Sequence, residues 1–340
     1  MEFKMKMHRT ELKVILPIIV TTVLMLFTVN LFAQPAGTGL QTGLFALHEM
    51  DMHLHAGMER ELPLNDWLDL SVKDGRKVIL LLDHIELYRM DSLTHAQWVL
   101  KNKVTDWYKP GAAGYSGLMS ELQQAEKRED VITFRGWEIW EGELDEGLEW
   151  DAMRLAEVIG WHISPNNGGD PPNGQKLIQR TRQIIEVQKN FQIPMIIFHP
   201  FSMRLENIMR TKQKAGIDVS TLSADDLRFF KPGEQQALVN LLKGKSIYIE
   251  ISRGVEEFWQ LAAVRSALIA DIQPLVEGGI QFIVSTDAHG IRSFKNKFSP
   301  GMYCDPLGIT PENTNTIIRE LLAIRLISKL QTTVDPDTSR

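Results

Sequence analysis

The sequence is poor in cysteine: its 340 residues include one, Cys304. A single thiol excludes an intrachain disulfide and any zinc site built on several cysteines. The chain also lacks a Gly-x-Ser-x-Gly nucleophile elbow and a P-loop, so two common routes to hydrolysis and phosphate binding are excluded. There is no excess of positive charge either. The formal net charge is -6, which gives no reason to expect a nucleic-acid partner.

Long uncharged apolar runs are scarce, and the one that stands out is residues 14–33. It follows a basic head that contains Lys4, Lys6, Arg9 and Lys13. This arrangement predicts an export signal cleaved after Ala33, or an uncleaved amino-terminal membrane anchor. Both alternatives predict that the body of the protein lies outside the cytoplasm, in the periplasm or beyond the cell. Residues 34–43 are rich in Gly, Pro and Thr and predict a linker.

The body of the chain, residues 44–330, alternates short apolar runs with amphipathic stretches. The apolar runs read as buried strands, and they include residues 77–82, 131–135, 194–198, 246–251 and 279–285. Strands separated by helices favour a parallel sheet, either closed into a barrel or doubly wound. Residues 201–232 read as polar and irregular, and residues 331–340 as a disordered tail.

The stretch Asp51-Met52-His53-Leu54-His55 contains the first candidate metal ligands. Residues two apart in an extended chain point to the same side, so Asp51, His53 and His55 share one face. Two imidazoles placed in this way can bind one cation. A pair of histidines on the surface of an edge strand is the alternative.

Later strand-like runs also end in polar groups that can bind metals. In chain order these are His53/His55, Asp83-His84, Glu138, His162, His199 and Asp287/His289. The carboxyl ends of parallel strands meet at one mouth in α/β folds, so these side chains are expected to converge there. One such histidine is usually a hydrogen-bonded core residue. Six together would be costly to bury without cations or hydrogen-bond partners.

The ordered set resembles the PHP superfamily, named for its polymerase-associated and histidinol-phosphatase members. The resemblance covers about residues 48–295 and is carried by His53-Leu54-His55, Asp83-His84, Gly136-Trp137-Glu138, His162, His199-Pro200 and Asp287-Ala288-His289. It implies an α/β fold, a distorted (β/α)7 barrel with two or three divalent cations at its mouth. The implied ligands of the first cation are His53, His55, Glu138 and Asp287. Glu138 would bridge to a second cation held with His162 and His199.

A third cation is implied on His84 and His289, with one more ligand from the loop after His55. Family members often place a histidine or an acid a few residues past the first motif. Glu61 is our predicted ligand from this loop, and Glu59 is the alternative. Asp83 is expected to orient a metal-bound imidazole or to cap the end of its strand.

Imidazole and carboxylate ligands suit Zn²⁺, Mn²⁺ or Fe²⁺. The resemblance therefore implies a metal-dependent hydrolase that uses metal-bound hydroxide, with Glu138, Asp287 and His199 as the catalytic residues. We predict a phosphoesterase acting on a small-molecule phosphate. The alternatives are a carbamate or carboxylic-ester hydrolase on the same site, and a non-catalytic metal-bound binding protein of the envelope.

Recognition of the substrate is predicted from charged and aromatic residues near the motifs. Arg253, Arg292 and Lys295 follow strand-like runs, and each can bind a phosphate or a carboxylate. A solvated surface charge is the alternative for each of them. Three tryptophans flank the predicted ligands, and they are Trp137, Trp140 and Trp161. Their positions indicate either an apolar subsite or core packing.

Overall fold

The computed structural model describes residues 44–102, 108–163, 173–294 and 296–334. The predicted signal or anchor segment and the linker lie outside these ranges, as does Lys295. The chain divides into two compact units, and the larger one, Phe45–Leu321, contains the whole sheet. Within the described ranges, every helix is too short or too polar to cross a membrane.

Seven parallel strands form one sheet in the order in which they occur along the chain. Their bounds are β1 Met50–His55, β2 Val78–Leu82, β3 Ile132–Trp140, β4 Val158–His162, β5 Met195–Phe198, β6 Ile247–Ser252 and β7 Phe282–Ser285. The first and last strands meet, because Leu54 bridges Ala288 in parallel. The sheet is thus a nearly closed barrel with flanking helices, which confirms the predicted (β/α)7-like fold.

Thirteen α-helices are present among the described residues. They are α1 Leu64–Lys73, α2 Ser92–Asn102, α3 Ala112–Ala125, α4 Glu143–Glu146, α5 Trp150–Met153, α6 Gly174–Phe191, α7 Pro200–Lys214, α8 Ala224–Leu227, α9 Glu234–Leu242, α10 Ala262–Glu277, α11 Gly301–Leu307, α12 Pro311–Thr314 and α13 Thr316–Val334. Short 3₁₀ turns occupy Leu47–Glu49, Ile85–Arg89, Val219–Thr221, Arg253–Phe258 and Ile291–Phe294. Helix α13 continues beyond the predicted end of the body at residue 330, and residues 335–340 lie outside the described ranges.

The prediction that residues 201–232 are irregular is wrong, because helix α7 occupies the first part of this region. The helix is rich in polar residues, which hid its buried face from the sequence analysis. That face consists of Phe201, Leu205, Ile208 and Met209, at a spacing that repeats every three to four residues as on one side of a helix. Pro200 stands at the first turn of α7, where a missing N–H costs nothing.

The strands are buried on both faces, as their continuous apolar sequences require. Every residue of β1, β2 and β6 is buried, which is the usual state of parallel strands covered by helices. Polar residues inside these strands are therefore shielded from water on either face of the sheet. Strand β3 is the longest, and it pairs with β2 through residues 132–135 and with β4 through residues 136–140. Glu138 thus lies within this strand, whereas the sequence had indicated a position beyond the end of the strand.

Gly160 in β4 leaves room for the ring of Phe198, which packs against the ring of His53. An added Cβ at this position would lie 1.7 Å from Cε2 of Phe198, and the Phe198 ring packs 3.9 Å from the ring of His53, centroid to centroid. We predict that Gly160→Ala forces Phe198 against His53. Overpacking of this kind typically costs about 1–3 kcal/mol. Urea denaturation of the metal-free protein measures that loss of stability.

Gly117→Ala is the matched control. A Cβ at Gly117 would meet Tyr108 at 3.5 Å, which is ordinary van der Waals contact. Because Gly117 lies inside α3, alanine there should keep or raise stability. Equal stabilities of the two variants would contradict the proposed packing of Gly160 against Phe198.

Candidate metal centre

The side chains of β1 alternate as predicted, with His53 and His55 directed into the barrel. Asp51, on the same face, does not join them. Its carboxylate accepts hydrogen bonds from the backbone N–H and the hydroxyl of Thr286, at 2.9 and 2.6 Å. The backbone N–H of Asp287 then donates to the carbonyl of His53 at 3.1 Å. Asp51 therefore fixes the segment that carries Asp287 against β1.

Four side chains meet at the first candidate cation site, and they are those the sequence predicted. Nε2 of His53 lies 3.1 Å from Nε2 of His55, 3.1 Å from Oε2 of Glu138 and 3.5 Å from Oδ1 of Asp287. Nε2 of His55 lies 3.2 Å from the same Glu138 oxygen and 3.3 Å from the same Asp287 oxygen. Ligands about 2.0–2.1 Å from a tetrahedral Zn²⁺ are separated by about 3.4 Å. Five of the six separations among these four atoms, at 3.1–3.5 Å, are close to that value.

The second oxygen of Glu138 faces a different pair of imidazoles. Oε1 lies 3.1 Å from Nδ1 of His162 and 3.1 Å from Nε2 of His199. Glu138 is fully buried, and its two oxygens are divided between two groups of ligands. This is the arrangement expected of a carboxylate that bridges two cations.

A third group contains His84 and His289, and its carboxylate comes from Glu59 and not from Glu61. Oε2 of Glu59 lies 3.2 Å from Nε2 of His289 and 3.9 Å from Nε2 of His84. The carboxylate of Glu61 instead accepts the backbone N–H of Ile291 at 2.8 Å. Glu61 was the predicted ligand and Glu59 the alternative, and the structure places Glu59 beside His289 and His84.

Asp83 fixes the loop that carries Glu59. Its Oδ2 accepts the backbone N–H of Met58 at 2.6 Å and the hydroxyl of Tyr88 at 2.8 Å. Gly57 makes this possible, because a Cβ there would lie 1.9 Å from Oδ2 of Asp83. Asp83 thus positions the loop, and its other oxygen lies 3.8 Å from Nδ1 of His55.

Glu250 is the residue of the site that the sequence analysis missed. It lies in β6, is fully buried, and its Oε1 lies 2.9 Å from Nδ1 of His53. The same oxygen accepts the hydroxyl of Ser285, and Oε2 accepts the backbone N–H of His199. A glutamate inside the apolar run SIYIEI was the available signal, because a carboxylate is rarely buried without partners.

Two of the predicted ligands have strained backbones. His199 and Asp287 adopt φ angles of 31° and 53°, in a region that residues other than glycine rarely occupy. Such conformations persist only where the surrounding structure imposes them, and they concentrate at functional sites. His199 directly follows β5, and Asp287 lies two residues after the end of β7.

The buried carboxylates raise the pKa values of four imidazoles, those of His53, His55, His84 and His199, whereas burial lowers the pKa of His162. Burial by itself lowers the pKa of His53, but the charges of Glu138 and Glu250 outweigh it and raise that pKa to about 10. Burial likewise opposes protonation of His84, yet Glu138 and Glu86 raise its pKa to about 9. Without cations, these imidazoles therefore hold protons at neutral pH.

The imidazoles in turn lower the pKa values of the carboxyl groups of Glu138 and Glu59. Burial raises the pKa of Glu138, but the charges of His84 and His53 hold it well below its ordinary value. Burial also raises the pKa of Glu59, yet His289 and His55 lower it to about 2. The cluster is thus an array of anionic oxygens balanced by cationic imidazoles. Divalent cations can supply the same positive charge.

The donor set fits divalent cations. In the described part of the chain, six buried carboxylate oxygens receive no hydrogen bond, and two of them are Oδ1 of Asp287 and Oε2 of Glu59. Both face imidazole nitrogens at 3.2–3.6 Å, and an ion between them would satisfy the oxygens. The candidate ligands form four overlapping groups, and within each group the ligand atoms lie within 4.8 Å of one another. The groups are His53/His55/Asp287, His84/Glu138/His162, His55/Glu59/His84/His289 and His53/His199/Glu250. Nitrogen and oxygen ligands in this mixture suit Zn²⁺, Mn²⁺ or Fe²⁺.

The three residues predicted to bind substrate have different environments. The guanidinium of Arg253 donates to the carbonyls of Ser293 and Asn296, the latter at 3.1 Å. These bonds hold the loop after β7, and binding of a phosphate or carboxylate by Arg253 stays a prediction. Arg292 is exposed on the 3₁₀ turn Ile291–Phe294. Lys295 lies outside the described residues.

The tryptophans near the ligands belong mainly to the core. Trp137 and Trp161 are fully buried, and the indole N–H of Trp137 donates to the carbonyl of Ala152 at 2.9 Å. Trp140 is half-buried and packs against Gly142, where a Cβ would lie 2.3 Å from the indole ring. Core packing was one of the two predicted roles, and it is the role that Trp137 and Trp161 have.

Comparisons with known proteins do not identify the function of this chain. The chain matches no protein-family model, and a search of curated proteins finds no match. Similar solved chains include one in archaeal ribonuclease P with mature tRNA, at 10% identity and a TM-score of 0.43, covering 85% of this chain and 93% of that one. A putative 2-pyrone-4,6-dicarboxylic acid hydrolase from Pseudomonas putida has 16% identity and a TM-score of 0.38, covering 82% and 97%. Adenine deaminase from Arthrobacter aurescens has 14% identity and a TM-score of 0.34, covering 74% and 69%. Likenesses this distant carry no argument about function.

Proposed function

We propose that the protein is a metal-dependent hydrolase of the PHP type with two or three divalent cations at the mouth of its barrel. One observation carries the proposal: the two oxygens of buried Glu138 face two separate groups of imidazoles at 3.1–3.4 Å. His53, His55 and Asp287 would hold the first cation, His162 and His199 the second.

Divalent cations bound in this way lower the pKa of water and polarise the oxygen of a phosphoryl or carbonyl group. The protein's own part is to fix the geometry. Glu138 sets the separation of the two groups of ligands, and Glu59, His84 and His289 offer a third position beside them. Because His53 and His55 are fully buried, the inner side of the site excludes bulk water.

The favoured substrate class is a small-molecule phosphate ester. Neighbouring cation sites can bind two oxygens of one phosphoryl group, and this pairing suits in-line displacement. A second candidate is a carboxylic ester or carbamate, and one contact favours it. Arg253 is occupied by the carbonyls of Ser293 and Asn296, so it offers less to a second anionic group on the substrate.

The apolar run at residues 14–33, behind its basic head, supports export of the enzyme as a further part of this proposal. The protein would then act in the periplasm or outside the cell, free or tethered by that segment. Separation of cell fractions, with the size of the purified chain, tests this part. Detection of the full chain in the cytoplasm alone would contradict it.

Metal analysis and a substrate panel test the function. We expect two or three Zn²⁺, Mn²⁺ or Fe²⁺ ions per chain, and fewer than one would reject the proposal. The metal-loaded protein should hydrolyse p-nitrophenyl phosphate or bis-p-nitrophenyl phosphate faster than p-nitrophenyl acetate; the reverse order would favour the second candidate. Bound metal with no turnover of any of these esters would favour a non-catalytic binding protein.

A histidine pair provides the control for this panel. His199→Ala should lose activity while the circular dichroism spectrum of the barrel is retained. His48→Ala changes an exposed histidine in the turn Leu47–Glu49, outside every candidate ligand group of the described residues. It should leave both activity and metal content unchanged.

A further inference from the structure

Glu250 in β6 touches three different parts of the metal centre at once. Its carboxylate lies against the ring of His53, the backbone of His199 and the hydroxyl of Ser285. The first two are candidate ligands of different cations, and Ser285 is the last residue of β7, just before Asp287. We infer that Glu250 is a positioning residue that holds the ligands of both cations in register; this inference rests on the proposed function.

The contact with His53 sets the tautomer of that imidazole. Nδ1 faces Oε1 of Glu250 at 2.9 Å, while Nε2 faces Glu138 and His55 at 3.1 Å. A carboxylate can only accept, so Nδ1 must carry the hydrogen. In the neutral form of the ring, which is the form that binds metal, Nε2 is then left with its lone pair directed at the cation site. A carboxylate behind a metal-binding histidine typically contributes about 10- to 100-fold in metal affinity.

The contact with His199 stabilises an unfavourable backbone. His199 has a φ of 31°, and its N–H donates to Oε2 of Glu250. In this conformation the imidazole of His199 points to Glu138, with Nε2 at 3.1 Å from Oε1. Glu250 therefore fixes one ligand through its ring and another through its main chain.

The substitution Glu250→Gln tests these roles with almost no change in volume. The backbone N–H of His199 cannot accept a hydrogen bond, so the amide oxygen of the new glutamine must face it. The amide NH₂ then faces Nδ1 of His53, which has to become the acceptor. Nε2 of His53 would then carry the hydrogen, so a cation could bind there only after the ring gave up its hydrogen bond with the amide.

The experiment measures Zn²⁺ affinity by chelator competition and records the visible spectrum of the Co²⁺-loaded protein. For Glu250→Gln we expect affinity for the first cation to fall about 10- to 100-fold, with altered Co²⁺ absorption bands and the same number of ions at saturation. Glu320→Gln is the matched control. That carboxylate accepts the hydroxyls of Ser246 and Tyr248 near the opposite end of β6, and its loss should leave affinity and spectrum unchanged.

Each other outcome has a definite meaning. If wild-type protein binds no cation, the proposed function fails before the variant is considered. If wild type binds and Glu250→Gln binds equally well with the same spectrum, the positioning role is overturned. Loss of one whole ion at saturation would instead make Glu250 a ligand, as its 4.8 Å group with His53 and His199 permits, and would also overturn it.

Ser285→Ala keeps the test valid if Glu250→Gln does not fold. It leaves the carboxylate in place and removes one of its three donors. We expect a loss of Zn²⁺ affinity of a few-fold, about 2- to 10-fold, with a shifted Co²⁺ spectrum. Unchanged affinity and spectrum in this variant would overturn the role of Glu250 just as firmly.

Discussion

Glu138→Ala is expected to be the most damaging single change in the protein. It removes the carboxylate whose two oxygens face His53 and His55 on one side and His162 and His199 on the other. Both cations lose a ligand, so we expect bound metal to fall below one ion per chain. Hydrolysis should slow by at least about 1000-fold, equivalent to about 4 kcal/mol of transition-state stabilisation.

Metal content by mass spectrometry and turnover of p-nitrophenyl phosphate check this expectation. Glu126→Ala is a suitable control, because that glutamate pairs with Arg135 and belongs to no candidate ligand group of the described residues. Its metal content should match that of the wild type. Full metal content in Glu138→Ala would show that this carboxylate does not bridge the two sites.

Removal of the cations is expected to reverse the way stability depends on pH. Metal ligation requires neutral imidazoles, whereas His53 and His84 without metal have pKa values raised to about 10 and about 9. Below about pH 9, binding must displace these protons, so affinity for Zn²⁺ should rise from pH 6 to pH 9. At about pH 7.5 we expect roughly two protons released per chain from these two imidazoles.

The stability of the metal-free protein should instead fall as pH rises. A histidine whose pKa is higher in the folded than in the unfolded state contributes stability below its unfolded pKa of about 6.5. That contribution is lost as pH rises through the folded values of about 9 and about 10. The gap in melting temperature between the metal-loaded and metal-free forms should therefore widen with pH.

Differential scanning calorimetry at pH 6, 7, 8 and 9, with and without chelator, measures this gap. Titration calorimetry in buffers of different ionisation enthalpy counts the released protons. At ligand concentrations about 1000 times Kd, the bound form gains about 4 kcal/mol, which is readily detected. A gap that narrows as pH rises would mean that the cations do not compete with protons for these imidazoles.

The fold and most of the centre could be predicted because both follow from short stretches of sequence. Buried parallel strands need continuous apolar runs, and five such runs were visible in the sequence. A ligand at the end of a strand is likewise visible without knowledge of distant contacts. His53, His55 and Asp287 were found by this means, and the structure brings them within 3.1–3.5 Å of one another.

What could not be predicted depends on contacts between distant residues. Glu59 and Glu61 lie in one loop, and the choice between them is made by Asp83, which accepts the N–H of Met58. Glu250 has meaning only beside His53, 197 positions away. Helix α7 was missed for another reason, since its polar surface outweighs its narrow apolar face.

The seam between β1 and the segment after β7 has a consequence for how the protein matures. His53 and Asp287 contribute to one cation site, yet they are separated by most of the chain. Asp51 and Thr286, which fasten the seam, lie 235 positions apart. A ribosome must therefore finish nearly the whole chain before the first cation can be bound, and a chain that stops before β7 would lack that site. Metal capture would thus report completion of the barrel.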